Sequence, residues 1–283
     1  GVILITTKKG SGEEGKVVVT YDGYGAMNIA LPHAEVLSAE EFRRSHRRSD
    51  YGASTDWYSL LTRKVGYNTN HYISMDSKTK TGYYGASISY KRGNGLDLKS
   101  GREEFGGRFS MEQYVLDRRL QLSSSLTARK VHEDWGNDGL LEQALTMNPT
   151  IPVYNADGTY YQPNSPTGAS NPVNEMNNIV NNGDRWYIMG NADLKWNILR
   201  LEEHSLSPQV SYAIQYNDLQ SHYYAPSTTA ASYWGGYNGE AHIEYQKYMT
   251  NRIEWLGNYQ MQIGEHDFKA MVGYSWERYT NEG

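Results

Sequence analysis

Apolar and polar residues alternate along most of the chain between residues 81 and 283. In residues 205–217 one parity is apolar and reads Leu206, Pro208, Val210, Tyr212, Ile214, Tyr216. The other parity is mostly polar and reads Ser205, Ser207, Gln209, Ser211, Ala213, Gln215, Asn217. Successive side chains of a strand point to opposite faces, so this period predicts strands with one face in an apolar medium and the other in water.

The same period predicts nine antiparallel strands in a meander. We expect them near residues 17–26, 70–77, 81–92, 102–115, 119–133, 185–198, 205–217, 242–263 and 267–280. The side chains expected on the apolar face include Leu194, Tyr212, Ile214, Trp255, Val272, Tyr274. Those expected on the polar face include Gln209, Gln215, Asn258, Lys269. Two helices are predicted in the connections, one starting at Ser38, where Glu41 completes a capping box, and one at residues 137–147.

The connections between these strands alternate in length. Tight turns are predicted at 116–118, 199–204 and 264–266, and long polar connections at 28–69, 135–185 and 218–241. An outer-membrane β-barrel keeps its periplasmic turns short and its extracellular loops long. A soluble β-sandwich has no reason to sort its connections in this way. The pattern therefore predicts an all-β fold that forms part of an antiparallel transmembrane β-barrel.

The length of the predicted strand near residues 185–198 matches the thickness of the apolar part of a bilayer. Trp186 and Trp196 share a parity and lie ten residues apart. At about 3.3 Å per residue and a tilt of about 40°, ten residues climb roughly 25 Å, the height of the apolar band of an outer-membrane barrel. Aromatic rings suit both edges of such a band because they have an apolar body and a polar tip.

Composition narrows the class of protein. A mean hydropathy of −0.73 and 38% hydrophobic residues exclude a bundle of membrane helices. The chain has no cysteine, which excludes disulfides and thiolate metal sites. Its net charge is −5 and its basic residues are scattered, so nucleic acid is not an expected partner.

Candidate binding residues are the aromatic side chains of the long connections. The chain holds 25 Tyr and only 4 Phe, a bias towards rings with a hydrated end. Such rings stack on sugar rings or peptide side chains without a deep dry pocket. The predicted substrate-binding residues are Tyr160, Tyr161, Tyr233, Trp234, Tyr237. The alternative for all of them is that they pack the loops together or contact a partner protein.

Other motifs have simpler explanations than metal binding or catalysis. His132 precedes Glu133 and Asp134, but a solvent-exposed position at the start of a long loop explains this group better than a metal site. Residues 155–158, Asn-Ala-Asp-Gly, are typical of a turn. No grouping of Ser, His and Asp indicates nucleophilic catalysis. We therefore expect no enzyme, no cofactor and no metal site.

Residues 1–10, 37–42 with Asp56 and Trp57, 70–74, 190–196 and 272–277 resemble, in collinear order over nearly the whole chain, the SusC/RagA-type TonB-dependent transporters of Gram-negative outer membranes. Residues 1–10, Gly-Val-Ile-Leu-Ile-Thr-Thr-Lys-Lys-Gly, resemble the signature that closes the plug domain of that family. Residues 37–42 with Asp56 and Trp57 are similar to its first extracellular loop, and 70–74 to its second barrel strand. Where the family has a Gly-Gly turn after this strand, this chain has Asp76 and Ser77.

The resemblance implies a function in nutrient uptake across the outer membrane. Residues 1–10 would end the plug, and 11–283 would form the N-terminal part of a barrel of about 22 strands. Import of oligosaccharides or peptides would depend on the periplasmic TonB complex, and a SusD-like surface lipoprotein would cover the barrel. Because the chain opens mid-strand and carries no TonB box, we expect it to be a piece of a longer precursor.

Two alternatives stay open. One is a passive porin or another outer-membrane barrel, against which residues 1–10 argue, since a porin needs no plug. The other is a soluble all-β carbohydrate-binding or adhesin domain. That class predicts charged side chains on the apolar faces, where each Lys or Arg would cost about 2–4 kcal/mol in a bilayer. The central apolar positions of the third, sixth, seventh and ninth strands carry no Lys or Arg.

Overall fold

The computed structural model of the chain describes residues 13–31, 34–46, 49–163, 170–230, 232, 236 and 238–283. Within them, nine long strands and one short strand form a single sheet. The strands are β1 (Val17–Ile29), β2 (Val65–Thr79), β3 (Gly82–Asn94), β4 (Gly101–Val115), β5 (Leu120–Asp134), β6 (Val180–Trp196), β7 (Leu199–Arg200), β8 (His204–Ala225), β9 (Glu240–Ile263), β10 (His266–Glu282). The helices are α1 (Ala39–Ser45), α2 (Trp57–Leu61), α3 (Asp138–Thr146), α4 (Pro172–Asn178). The predicted plug terminus, residues 1–10, lies outside the described residues.

The sheet is an antiparallel meander. Each long strand pairs with its neighbour along the chain, in the order β1-β2-β3-β4-β5-β6-β8-β9-β10. This confirms the predicted neighbour pairing of nine long strands. The two-residue β7 was not predicted. It lies in the expected turn between β6 and β8 and folds back on β8, pairing Leu199 with Leu206.

All tight turns lie at one end of the sheet, which we call the turn end. They span residues 80–81, 116–119, 197–203 and 264–265. The connections at the opposite loop end span 30–64, 95–100, 135–179 and 226–239, and all but 95–100 are longer than any connection at the turn end. The last of these is shorter than the predicted 218–241, because β8 and β9 keep pairing up to Tyr224 and Ala241 and beyond. Tyr223 and Tyr224 are therefore strand residues, and their prediction as loop residues was wrong.

Cross-strand register sorts the side chains into two faces. On one face Leu122, Leu194, Val210, Trp255 and Tyr274 are direct partners across five strands. We call this the apolar face, and all six residues predicted for it lie there. The opposite, polar face holds the four predicted polar residues, including Gln209 and Lys269. The predicted division of the side chains between two faces is confirmed.

On the apolar face a band free of charged side chains runs across β6 and its neighbours. Trp196, at the turn end, is paired with Leu120. Trp186, ten residues away, is flanked by Lys130 on β5 and Asp218 on β8. Charged side chains thus begin at the register row of Trp186, on the side of the loop end. This places the two tryptophans at the edges of the band, as aromatic girdles require.

The largest hydrophobic core lies between the connections at the loop end rather than within the sheet. Its buried members are Trp57, Leu61, Leu140, Ala144, Ile151, Val173, Met176. They come from α2, α3, α4 and the segment between the last two. The sheet is one layer thick, so its apolar face stays uncovered in the isolated chain, with side chains such as Val272 and Tyr274 more than half exposed.

Candidate functional site

The four connections at the loop end join into one structure, which we call the cap. The connection 30–64 meets 135–179 through backbone hydrogen bonds, from Ala53 N to Thr150 O and from Thr55 N to Pro149 O, both 2.9 Å long. Trp57 is 2% exposed, and its Nε1 donates to Asn148 O at 3.2 Å. The cap therefore closes over its own hydrophobic core, and its loops are mutually supported.

Buried polar side chains fix the second half of the cap. Asn171 is fully buried, accepts from the Val173 and Asn174 amides as the N-cap of α4, and donates to the carbonyls of Val153 and Tyr161. Asn174, also buried, donates to Thr228 O at 2.7 Å. Asn171 thus caps the start of α4 and holds two loop carbonyls. Asn174 joins the connection 226–239 to the rest of the cap.

Helix α1 begins as predicted. Ser38 and Glu41 form the capping box, with Ser38 Oγ donating to Glu41 Oε2 at 2.7 Å. This hydrogen bond lowers the pKa of Glu41. Nearby, the Gly52 amide donates to Asp50 at 2.9 Å and Arg43 lies 3.1 Å from the same carboxylate. Both contacts lower the pKa of Asp50, so this carboxylate is charged in neutral water.

Two of the predicted binding residues, Tyr160 and Tyr161, lie in the cap. Both are partly buried and pack against the core cluster. The Tyr160 ring lies 5.0 Å from that of Tyr154, and the Tyr161 ring lies 6.3 Å edge-on from that of Tyr51. Burial and the neighbouring Tyr160 raise the pKa of Tyr154. One side of each predicted residue therefore serves packing, and the other side stays exposed.

The other predicted binding residues, Tyr233, Trp234 and Tyr237, lie outside the described residues. Their neighbour Gly236 is described and has φ +74°, a conformation that favours glycine. The structure does not bring Tyr223 and Tyr224 into a loop. Instead, Tyr223 stacks at 4.9 Å on His242 across the β8–β9 pair.

A cluster of charged residues on the polar face was not predicted. Glu104 on β4 has a side chain that is only 5% exposed and is surrounded by three cations. Its carboxylate lies 3.9 Å from Lys91 Nζ, 3.0 Å from Arg102 Nη2 and 3.6 Å from Arg129 Nη1. These residues are far apart in sequence and meet only through the register of β3, β4 and β5, so no sequence motif marks them.

No group of three or more His, Cys, Asp or Glu side chains in the described part of the chain is arranged to hold a metal ion. None of the helices that the structure describes is long and apolar enough to cross a membrane.

Known proteins resemble the chain over its full length. No protein-family model matches it. The TonB-dependent receptor SusC of Bacteroides thetaiotaomicron is 25% identical over 318 residues, covering 100% of this chain and 30% of SusC. Two TonB-dependent receptors of Formosa agariphila are 23% and 26% identical and also cover 100% of the chain. The chain thus spans about 30% of the length of these relatives.

Solved structures show the same fold. The RagAB peptide importer in its closed-closed state matches with a TM-score of 0.70 and 14% identity, over 97% of this chain and 36% of that one. Its open-open state matches with a TM-score of 0.70 and 15% identity, over 96% and 35%. The sheet is therefore an antiparallel wall of the RagA-like β-barrel type. The predicted fold class and the resemblance to SusC/RagA-type TonB-dependent transporters are confirmed. The relatives are receptors and transporters rather than enzymes.

Proposed function

Because the chain resembles SusC/RagA-type TonB-dependent transporters, we propose that it forms part of such a transporter in the outer membrane of a Gram-negative bacterium. Residues 1–10 would end the plug, and 11–283 would form part of the barrel wall. The observation that carries this proposal is the segregation of the connections. The three longest connections join the cap at the loop end, no connection at the turn end exceeds seven residues, and an uncharged band separates the two ends.

This arrangement supports a proposal for the surroundings of each part of the chain. The apolar face would contact lipid, because its exposed Val, Ile, Tyr and Trp side chains suit a bilayer and not water. The cap would face the outside and meet a SusD-like surface lipoprotein. The turn end would face the periplasm, where the TonB complex supplies energy. The transported substrate would be an oligosaccharide or a peptide.

Substrate contact is proposed for the aromatic residues of the cap. Tyr160 and Tyr161 have one side packed against the core and are only partly buried, so their rings are held in place. Tyr233, Trp234 and Tyr237 flank two glycines in the connection 226–239, and small neighbours leave room for a ligand beside the rings. A held ring loses little conformational entropy on binding a sugar or a peptide side chain.

The transport proposal is tested by uptake in the native bacterium. The gene that encodes this chain is deleted and restored, and uptake of radiolabelled oligosaccharide and peptide mixtures is measured with and without a functional TonB gene. We expect uptake of at least one class to require both genes. Uptake that needs this gene but continues without TonB would instead indicate a passive porin.

The aromatic residues are tested in the complete gene product. Tyr233, Trp234 and Tyr237 are replaced together by Ala, and substrate binding and lipoprotein association are measured separately. Tyr67→Ala, at the loop end of the apolar face and 42% exposed, is the matched control. We expect the triple variant to weaken substrate binding while the control does not. Unchanged binding in a correctly folded triple variant would reject the role of this loop.

A further inference from the structure

The polar face carries an excess of positive charge between the loop end and the middle of β3–β6. Its members, which we call the cationic cluster, are Lys91, Arg102, Arg108, Arg129, Arg185. Between the register rows of Arg102 and Arg108, the same face of these four strands holds two carboxylates, Glu104 and Glu133. Five cations against two carboxylates leave three positive charges without a carboxylate to neutralise them.

The two carboxylates already form ion pairs with some members of the cationic cluster. Glu104 is buried among Lys91, Arg102 and Arg129, and Glu133 accepts from Arg102. Among the described residues no carboxylate oxygen lies within 4.0 Å of Arg108 or of Arg185. Charge balance within the described sheet therefore does not explain the other two arginines.

Arg185 is held in a defined position by an aromatic ring. Its Nη1 donates to the Tyr187 hydroxyl at 2.7 Å. The guanidinium carbons of Arg129 and Arg185 lie 5.4 and 5.6 Å from the centroid of the Tyr187 ring. In both arginines the buried Nε has no hydrogen-bond acceptor in the described structure. Two neighbouring guanidinium groups are therefore fixed in place beside one ring.

A glycine makes room for this arrangement. Gly106 lies between Ser89 and Arg129 across the sheet, and a Cβ at Gly106 would lie only 3.0 Å from Arg129 Cγ. The absence of a side chain lets Arg129 lie across β4 towards Glu104. Next to the cluster is a cavity of about 640 Å³ beside the Trp135 ring, and its charged lining residues are Lys91, Arg92, Arg102, Asp97, Glu133, Asp134.

We propose that the cationic cluster is a binding subsite for a carboxylate-bearing ligand, at the mouth of the import path. Guanidinium groups match the planar geometry of carboxylates and bind them through paired, charge-assisted hydrogen bonds. The carboxylate accepts from Arg185 and its neighbours, while the body of the ligand occupies the cavity beside Trp135. This inference rests on the proposed function for the direction of transport, and it narrows the substrate class to acidic oligosaccharides or acidic peptides.

The binding test uses the complete gene product in detergent and two matched pairs of unlabelled probes. One pair is hexagalacturonate and its methyl ester, and the other is a glutamate hexamer and a glutamine hexamer. Calorimetry measures the affinity of each probe. We expect one acidic probe to bind at least about 10-fold more tightly than its neutral counterpart, with a preference that falls as salt rises. The pair that shows the preference identifies the ligand as a sugar acid or an acidic peptide.

Variants then locate the site. Arg185→Gln should reduce the affinity for the acidic probe by about 10-fold or more. Arg185→Lys, which keeps the charge and loses the planar fork, should have an intermediate effect. Arg252→Gln is the matched control, because Arg252 lies on the polar face of β9 and is already paired at 2.6 Å with Glu254. Heat-modifiable migration on gels verifies that each variant is a folded barrel.

The failure of this inference is distinguishable from the failure of the proposed function. Equal affinity for both members of each pair, unchanged binding in folded Arg185→Gln, or an equal loss in Arg252→Gln would overturn the carboxylate subsite. TonB-dependent uptake, measured in the same strains, tests the transporter independently. Acid-selective binding without any uptake would reject the transporter and leave the subsite standing.

Discussion

Replacing Trp57 by Ala should open the cap without unfolding the sheet. Trp57 is 2% exposed, it belongs to the core cluster, and its Nε1 donates to Asn148 O. Truncation of a buried Trp costs about 3–5 kcal/mol, to which loss of the indole hydrogen bond adds about 1 kcal/mol. Since about 1.4 kcal/mol is a factor of ten, the open form of the cap should become at least roughly 100-fold more populated.

Hydrogen exchange followed by mass spectrometry measures this effect. Peptides covering α3 and α4 should exchange faster in Trp57→Ala, while peptides from β3–β6 should keep their protection, because strand pairing does not depend on the cap core. Trp196→Ala is the matched control, since Trp196 is 48% exposed and lies at the turn end. Unchanged exchange of α3 and α4 in Trp57→Ala, or an equal change in the control, would refute a cap held by this core.

Two further predictions concern charge. Ile214→Arg should reduce the yield of folded protein in lipid vesicles, because an Arg near the middle of the bilayer costs about 2–4 kcal/mol. Gln215→Arg on the polar face should leave the yield unchanged, and equal yields of the two variants would contradict the assignment of faces. The contacts of Gly52 and Arg43 lower the pKa of Asp50 in the folded protein. The charged carboxylate should therefore stabilise the cap fully above the unfolded pKa of about 3.9. This stabilisation should be lost as the pH falls through the lower pKa of the folded state. Protease resistance of the cap should accordingly fall below about pH 4 in the wild type and vary less in Asp50→Asn; an identical pH profile would be the contrary result.

The strands were predictable because their signal is local. A period of two residues in 205–217 or 267–280 is readable without knowing any partner strand, and it also specifies which side chains share a face. The capping box at Ser38 and helix α3 were predictable for the same reason. N-cap preferences depend on a few consecutive residues, and Asn137 begins α3 as expected.

The ends of β8 and β9 were missed because alternation of hydrophobicity stops where the apolar band stops. Beyond Asp218 the outward positions include Gln220 and His222, so the pattern resembles a polar loop. The backbone ladder nevertheless continues, pairing His222 with Ile243. Backbone hydrogen bonds do not require apolar side chains once a neighbouring strand is in place.

Helices α2 and α4 were missed because they are stabilised by tertiary contacts. They contain five and seven residues, too few to be stable alone, and hold their shape by packing Trp57, Leu61 and Val173 into the shared core. The cationic cluster was missed for a related reason. Lys91, Glu104 and Arg129 become neighbours only when the register of three strands is known.

Spin labels at residues 212 and 213 test the membrane-wall assignment most directly. Tyr212 lies on the apolar face and Ala213 on the polar face of β8, one residue apart. In the complete gene product reconstituted in lipid vesicles, the label at 212 should collide with dissolved oxygen, which concentrates in the bilayer. The label at 213 should collide with a water-soluble nickel complex. Access of the nickel complex to 212 and not to 213, or to both labels equally, would contradict a barrel wall with lipid on the apolar face.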